Sequence, residues 1–568
     1  MTRYRSAVLL ALLTVVAYWP ALRSGFIWDD DLYVTHNPTL RSAQGLYDIW
    51  FKLGATPQYY PLTFTTFWVE YRLWGLNPTG YHAVNILLHA LNAILLWFVL
   101  QRLTVPAAWW AAAIFALHPV HVESVAWITE RKNVLSGVFY LLAALVFLRG
   151  SGGRRWALAV LGLFWLALLS KTVTCTLPAA LVLVLWWKRG RVEKREWCLL
   201  VSMFLSAAVA AATTAWFEEH HAKADWEFSV VERCLIAGRA LWFYAGKLVW
   251  PAKLTFIYPR WELDTGSCWQ YLPPVTAVVA ICGLWFARKR IGRSPFAATA
   301  FFVVTLSPAL GFVNVYPFLY SFVADHFQYL ASIGLIALVA ASIRRPVVLG
   351  SLVLMLGCVA SFQTGVYRDL ETLWRDTVEK NPSAWMAHHN LGGLLAQRGQ
   401  TEEAIAEYSA ALQVNPNLAE TRHNLGEALL AKGAVEPAMI EFQTAARLDP
   451  TLAEPHHRLG VTLAATGRFR EAVNEYAIAL RLDRNVPQVH VDLGNALYEL
   501  DQIPEAISAY RSALLLNPEL VEAHYNLGAA LLADGQTNKA VVQFETTLRL
   551  NPQYVPAQQL IERLKNSR

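Results

Sequence analysis

Apolar and polar positions along the chain follow two regimes. Up to residue 362, long apolar runs alternate with short polar connections; beyond it, apolar positions recur at helical spacing under regular punctuation. The runs fall at 7–22, 83–100, 107–117, 134–148, 156–169, 173–187, 197–217, 274–287, 296–312, 329–343 and 347–362. They predict roughly eleven membrane spans. Several are shorter than the ~20 residues that cross a bilayer, so their ends must borrow flanking Trp, Tyr and His at the interface. The first run lacks a small-residue cleavage site and is followed by further spans, which marks it as a retained helix.

The second regime has a measurable period. Asn381-Pro382, Asn415-Pro416, Asp449-Pro450, Asn517-Pro518 and Asn551-Pro552 share one register, with Asp483-Arg484 in the remaining slot. This is the ~34-residue spacing of tetratricopeptide repeats. Leu-Gly recurs in phase from Leu391, Leu425, Leu459, Leu493 and Leu527, as do the aromatics Tyr408, Phe442, Tyr476, Tyr510 and Phe544. Five helical hairpins stacked into a superhelix with a concave groove are expected. The residues before Leu-Gly are Asn390, Asn424, Arg458, Asp492 and Asn526, a ladder along one face. Its amides suit the backbone groups of an extended acceptor peptide, or form solvated positions on a scaffold. The expected fold is therefore all-α: a polytopic unit over 1–365, a connecting helix over 366–382 and a repeat domain over 383–568 with a C-terminal capping helix.

Charge orients the spans. Arg3 and Arg5, Arg102, Arg149 with Arg154 and Arg155, KRGRVEKR at 188–195, RKRIGR at 288–293, and Arg344 with Arg345 lie at alternate connections. The positive-inside rule then puts the N-terminus in the cytoplasm and the repeats outside; the expected location is a bacterial inner membrane with the repeats in the periplasm. Residues 236–250 would break the alternation and are read as an amphipathic or re-entrant piece on the outer face. Of the 568 residues 55% are hydrophobic and 16% charged, against about 25% charged in soluble domains. The net charge of +6 is spread over connections, which argues against nucleic-acid binding. Six cysteines show no CxxC spacing, although Cys234 and Cys268 could pair in an oxidising compartment.

The outward loops carry the titratable chemistry. GFIWDDDLYVTHNP presents Asp29, Asp30 and Asp31; HPVHVESVAWITERKN supplies His118, His121, Glu123, Glu130, Arg131 and Lys132; a tight turn holds Lys171; FEEHHAKADWE carries Glu218 to His221; ADHFQYL carries Asp325 and His326. Adjacent carboxylates repel and are costly beside hydrocarbon, so they must be solvated, neutralised or used. Segments distant in sequence thus predict one site with anionic and cationic halves. Asp29 or Asp30 with His118, His121 and Glu123 leaves a divalent cation possible, but H-x-x-H on a turn is weak metal chemistry, and no tightly bound metal is expected. Glu130-Arg131 also reads as an internal ion pair at a helix end.

FIWDDDLYVTHNP, YYPLTFTTFWVEYRLWGLNPTGYHAVNILLHALNA, HPVHVESVAWITERKNVLSGVFYLL, LSKTVTCTLPAALVLVLWW and VADHFQYLASIGL, followed by repeats, resemble bacterial relatives of the TMTC family in the GT-C glycosyltransferase superfamily. That resemblance implies an inverting, protein O-mannosyltransferase-like enzyme. Such an enzyme takes a sugar from a polyprenyl-phosphate carrier at the non-cytoplasmic face and places it on Ser or Thr of a protein. It implies Asp29 or Asp30 as general base. Arg131, Lys132 and Lys171 would hold the donor phosphate. His118, His121, Glu123, Asp325 and His326 would stand behind them, and Asn390, Asn424 and Asn526 would bind acceptor peptide. Two rivals use the same residues differently: a non-catalytic tetratricopeptide scaffold for envelope proteins, and a lipid-carrier transporter.

Overall fold

The structure, a computed structural model, describes residues 3–150, 153–221, 228–313 and 316–566. Every regular element among them is helical. Contacts divide the chain into two units, Met1–Ala384 and Trp385–Arg568.

In the first unit each apolar run becomes a helix: α1 Arg3–Ala17, with α2 Ala43–Phe51 and α3 Pro61–Trp74 in the long loop that follows, then α4 Pro78–Arg102, α5 Ala108–Leu117, the short α6 Val122–Ala126, α7 Arg131–Arg149, α8 Arg154–Ser170, α9 Leu177–Arg189 and α10 Lys194–His221. After these come α11 Val230–Val249, α12 Leu272–Ile291, α13 Ser294–Leu306, α14 Ser332–Ser342, α15 Pro346–Thr364 and the connecting helix α16 Leu370–Lys380. The chain is a multi-pass membrane protein. Among the described residues, five segments are long and apolar enough to cross on their own: Pro78–Arg102, Ile128–Arg149, Lys194–Phe217, Cys268–Ile291 and Pro346–Tyr367. α5, with 10 residues, and α14, with 11, cover only about 15 Å each at 1.5 Å per residue. The segment read as amphipathic forms α11, started by a Ser229 and Glu232 capping box.

α4 shows how interrupted helices survive in an apolar setting. Asn77 caps it and Pro78 opens it. His82, Asn85, His89 and Asn92 are all fully buried along one of its faces. Asn85 donates to the carbonyls of Val125 and Trp127, Asn92 to that of Val134, and His89 meets the carbonyl of Ala116 and the Tyr329 hydroxyl. The stripe supplies partners to carbonyls from the end of α5 through α6 to the first turn of α7, where the chain breaks helical geometry twice, a requirement where water is absent. The basic connections meet at one end of the bundle, where Arg102 donates to the Leu148 carbonyl, Lys188 to Thr104 and Arg293 to the Trp186 carbonyl. The acidic and histidine-bearing loops lie at the other.

The second unit is five hairpins, α17 Trp385–Gln397 with α18 Thr401–Val414, α19 Ala419–Ala431 with α20 Val435–Leu448, α21 Ala453–Ala465 with α22 Phe469–Leu482, α23 Pro487–Glu499 with α24 Ile503–Leu516, and α25 Val521–Ala533 with α26 Thr537–Leu550, closed by α27 Val555–Asn566. The Leu-Gly phase has a steric cause. A Cβ on Gly392, Gly426, Gly460, Gly494 or Gly528 would come within 2.5–2.8 Å of the in-phase aromatic of the partner helix. The Asn-Pro phase has a hydrogen-bonding cause. Asn415, Asp449, Asp483, Asn517 and Asn551 each accept the backbone N–H two residues on. Asp483-Arg484 fits the register because this turn needs the side-chain oxygen, not the proline.

Candidate functional site

Four connections meet at the acidic end of the bundle. The first leaves α1 through Trp28, whose φ of 47° is unusual for a bulky residue, and enters a short π-helical turn, Asp31–Thr35. This local geometry separates the three aspartates. Asp30 is fully buried; its Oδ1 accepts the Thr129 backbone N–H at 2.8 Å and hydroxyl at 2.7 Å, and its Oδ2 accepts the Ile27 N–H at 2.8 Å. Burial pushes its pKa up to about 7 against the pull of those donors. Asp31 is exposed and accepts the Thr35 hydroxyl at 2.8 Å. Asp29 is half-buried, and its carboxylate accepts no hydrogen bond from any described residue. Desolvation raises its pKa to about 6, opposed by Lys132, aided by Glu130 and opposed by His326. Asp30 pins one loop to the next; Asp29 is left with capacity to act.

The cationic half is gathered on Glu130. Its carboxylate, 1% exposed, meets Lys132 Nζ at 3.0 Å and Lys171 Nζ at 3.1 Å and accepts from Asn133 at 2.6 Å. Desolvation lowers the Lys171 pKa to about 8, with Glu130 the main opposing influence. Each ammonium has three donors and gives one to Glu130, so N–H groups remain for an anion. Lys132 also reaches Gln58 Oε1 at 3.4 Å. His326 stands behind: its Nδ1 lies 3.0 Å from Glu123, its Nε2 3.9 Å from Glu130, and its backbone N–H donates to Glu123 at 2.8 Å. Asp325 accepts the Tyr258 hydroxyl at 3.1 Å on both oxygens, and burial with the nearby Glu123 charge holds its pKa well above the usual range.

Several expectations change. Arg131 differs from the two lysines in that all five of its N–H groups are committed within the protein. Nε donates to Asn85, Nη1 to Thr66 and Glu70, and Nη2 to Glu70 at 3.1 Å and the Tyr81 carbonyl at 2.9 Å. Its ion-pair partner is Glu70 on α3 and not Glu130. His118 and His121 are satisfied elsewhere. His118 contacts the Leu248 carbonyl at 3.1 Å, and His121 contacts the Phe115 carbonyl at 2.7 Å and Ser332 at 3.0 Å. Burial keeps both below the usual histidine range. No group of three or more His, Cys, Asp or Glu suited to a metal ion occurs among the described residues, and the Glu130 oxygens are taken by ammonium groups. Cys234 and Cys268 are free and exposed, not paired. The side chains of Glu218 to His221 lie outside the described residues.

The amide ladder is partly spent on the array itself. Asn390 donates to the Met386 carbonyl at 2.7 Å, Asn526 to Asn495 at 2.9 Å, and Arg458 forks onto Glu427 of the preceding repeat. Asn424 makes no hydrogen bond through its side chain with any described residue. Sequence reasoning missed Glu70, Thr129, Gln58 and the organising role of Glu130. An acid inside the apolar stretch TFWVEYRLW was the available signal for Glu70.

Fold and site define a class: a polytopic helical membrane protein with an ionic cluster at one end of its bundle and a tetratricopeptide array after it. Family models agree for the array, "TPR repeat" at 392–433 and 494–535 and "Tetratricopeptide repeat" at 457–514. Over the longer span the chain is similar to protein O-mannosyl-transferase F38B6.6 of Caenorhabditis elegans, 26% identical over 453 residues, covering 72% of this chain and 63% of that protein. It is also similar to protein O-mannosyl-transferase Tmtc1 of Drosophila melanogaster, 34% identical over 161 residues, covering 26% and 19%. The chain thus spans less than two thirds of the length of these relatives. A solved structure of YrrB, described as a TPR protein with an unusual peptide-binding site, is 21% identical with a TM-score of 0.31, covering 33% of this chain and 97% of that one. The chain resembles TMTC-type proteins and carries tetratricopeptide repeats.

Proposed function

We propose that the protein is a GT-C-type membrane glycosyltransferase that moves a hexose, mannose by analogy with the named relatives, from a polyprenyl-phosphate carrier to Ser or Thr hydroxyls at the non-cytoplasmic face. The carrying observation is the uncommitted Asp29 carboxylate facing Lys132, which shares one buried glutamate with Lys171. In this reading Asp29 takes the hydroxyl proton as the oxygen attacks the anomeric carbon. The bond from that carbon to the phosphate oxygen breaks, and the phosphate leaves with the electron pair. Spare N–H groups of Lys132 and Lys171 meet its growing charge. A single displacement inverts the anomeric centre. Asp30 and Thr129 set the loop, while Glu123, His326 and Asp325 hold the second carboxylate layer. Residues 1–365 form the transferase unit, 366–382 the connection and 383–568 the repeats. The repeats bind acceptor polypeptide, with Asn424 the ladder amide most open to it and Asn390 and Asn526 offering their remaining polar atoms.

The test uses the full chain with a polyprenyl-phosphate sugar and a Ser/Thr peptide. Asp29→Asn should cost about two to four orders of magnitude in rate with thermal stability unchanged. Full transfer by Asp29→Asn ends the assignment. In a chain whose six native cysteines are replaced by Ser, labelling of Asp31→Cys by a membrane-impermeant thiol reagent from the outer side only is expected; labelling from the cytoplasmic side overturns the topology.

A further inference from the structure

The residue that sets Asp29 in place is itself in an unusual conformation. Trp28 holds φ at 47°, and such a backbone persists only where its surroundings enforce it. Its indole stands edge-on to Trp374 with ring centroids 5.0 Å apart at 81°, and to Phe256 at 6.5 Å and 76°. Trp374 lies on α16, is 1% exposed, and stands edge-on to the same Phe256 at 5.6 Å. Phe256 in turn meets Trp127 at 5.1 Å, two residues before the Thr129 that holds Asp30. The backbone closes the arrangement: the Gly25 N–H donates to the Arg368 carbonyl at 2.9 Å, two residues before α16 begins. The loop containing Phe256 is tied to α16 as well, since Lys380 donates to the Leu254 carbonyl at 2.8 Å and Asn381 to that of Ile257 at 3.0 Å.

We infer that Trp374 is a positioning residue for Asp29: by filling the space behind Trp28 it holds the turn that aims the carboxylate, although it touches no reacting atom. An exposed helix joining two parts of a chain needs no buried tryptophan, yet this one carries the largest fully buried side chain of the described residues. The rotamer of a second ring, and through it one backbone angle, is what that burial specifies. α16 is also the last helix before the repeats in sequence. The inference rests on the proposed function for its kinetic consequence and not for its geometry.

Two measurements on the full chain keep those dependencies apart. In hydrogen–deuterium exchange, Trp374→Ala should speed exchange in residues 25–35, where the Asp30 and Tyr33 amides bond to Ile27 and Asp29, and leave α5 unchanged. Trp374→Phe should restore most protection. In sugar transfer, Trp374→Ala should lower kcat by about ten- to a hundredfold with donor KM little altered. The acid limb of its pH profile should move below about 6, because a loosened Asp29 gains water while Lys132, Glu130 and His326 still face it. Trp374→Phe should recover both. Unchanged exchange at 25–35 in a folded Trp374→Ala or Trp374→Leu variant overturns the inference, as does lost activity with the acid limb in place. Faster exchange in Trp374→Ala, when the unsubstituted chain itself transfers no sugar, upholds the positioning link and rejects the proposed function instead.

Discussion

Glu130→Gln asks whether one carboxylate organises the site. Glu130 touches Lys132 at 3.0 Å and Lys171 at 3.1 Å, and its charge raises the pKa of both the proposed base, Asp29, by repulsion and the proposed phosphate clamp, Lys171, by attraction. With Asp29 at about 6 and Lys171 at about 8, transfer should follow a bell. The base must be ionised, so rate falls as pH drops through the lower value. The phosphate clamp must be protonated, so rate falls as pH rises through the upper one. Two charges about 3 Å apart at an effective dielectric of ~20 interact by roughly 5 kcal/mol before screening. A third of that already exceeds the 1.36 kcal/mol that corresponds to about one pH unit. Removing the charge should therefore move the alkaline limb acidward by about one unit or more. The acid limb should move the same way by less, since Lys132 outweighs Glu130 at Asp29. Gln keeps an oxygen for Asn133, and a monodisperse, thermally stable sample confirms folding. The assay is initial rate against pH with saturating donor and a Ser/Thr peptide. A profile that only loses height, with both limbs in place, would refute the reasoning.

Arg131→Lys should lower the melting temperature, because a lysine cannot reproduce five donors to Glu70, Asn85, Thr66 and Tyr81, and breaking a buried pair costs about 3–5 kcal/mol. Donor KM in the surviving folded fraction should be unchanged; a selective KM rise would return Arg131 to the phosphate. Asp501 has φ 60° where Gly399, Gly433, Gly467 and Gly535 occupy the matching turn, so Asp501→Gly should stabilise the array by about 0.5–1 kcal/mol in denaturant unfolding. Gly460→Ala places a Cβ 2.5 Å from the Tyr476 ring and should destabilise the same transition by about 1–3 kcal/mol.

What the sequence determined by itself was whatever repeats or alternates locally. The tetratricopeptide register was legible because a hairpin's turn and helix-crossing demands fall within one ~34-residue unit, so Asn415, Gly426 and Phe442 restate requirements met again at Asn517, Gly528 and Phe544. The apolar runs were legible because a membrane helix satisfies its own backbone. Asp29, Asp30, Lys132 and Lys171 were visible as charges in an apolar chain. Their roles were not, since three neighbouring aspartates differ only in what the fold brings to them. Thr129, 99 residues from Asp30, takes one carboxylate into structure and leaves its neighbour open. The partner of Arg131 was hidden for the same reason, Glu70 being 61 residues away on another helix. The polar stripe of α4 was written in the spacing of His82, Asn85, His89 and Asn92, but which carbonyls it serves depends on where α5 to α7 break. Local interactions repeat along a chain and are readable in it; the pairing of buried charges depends on which distant segments exclude water together, and only tertiary structure decides that.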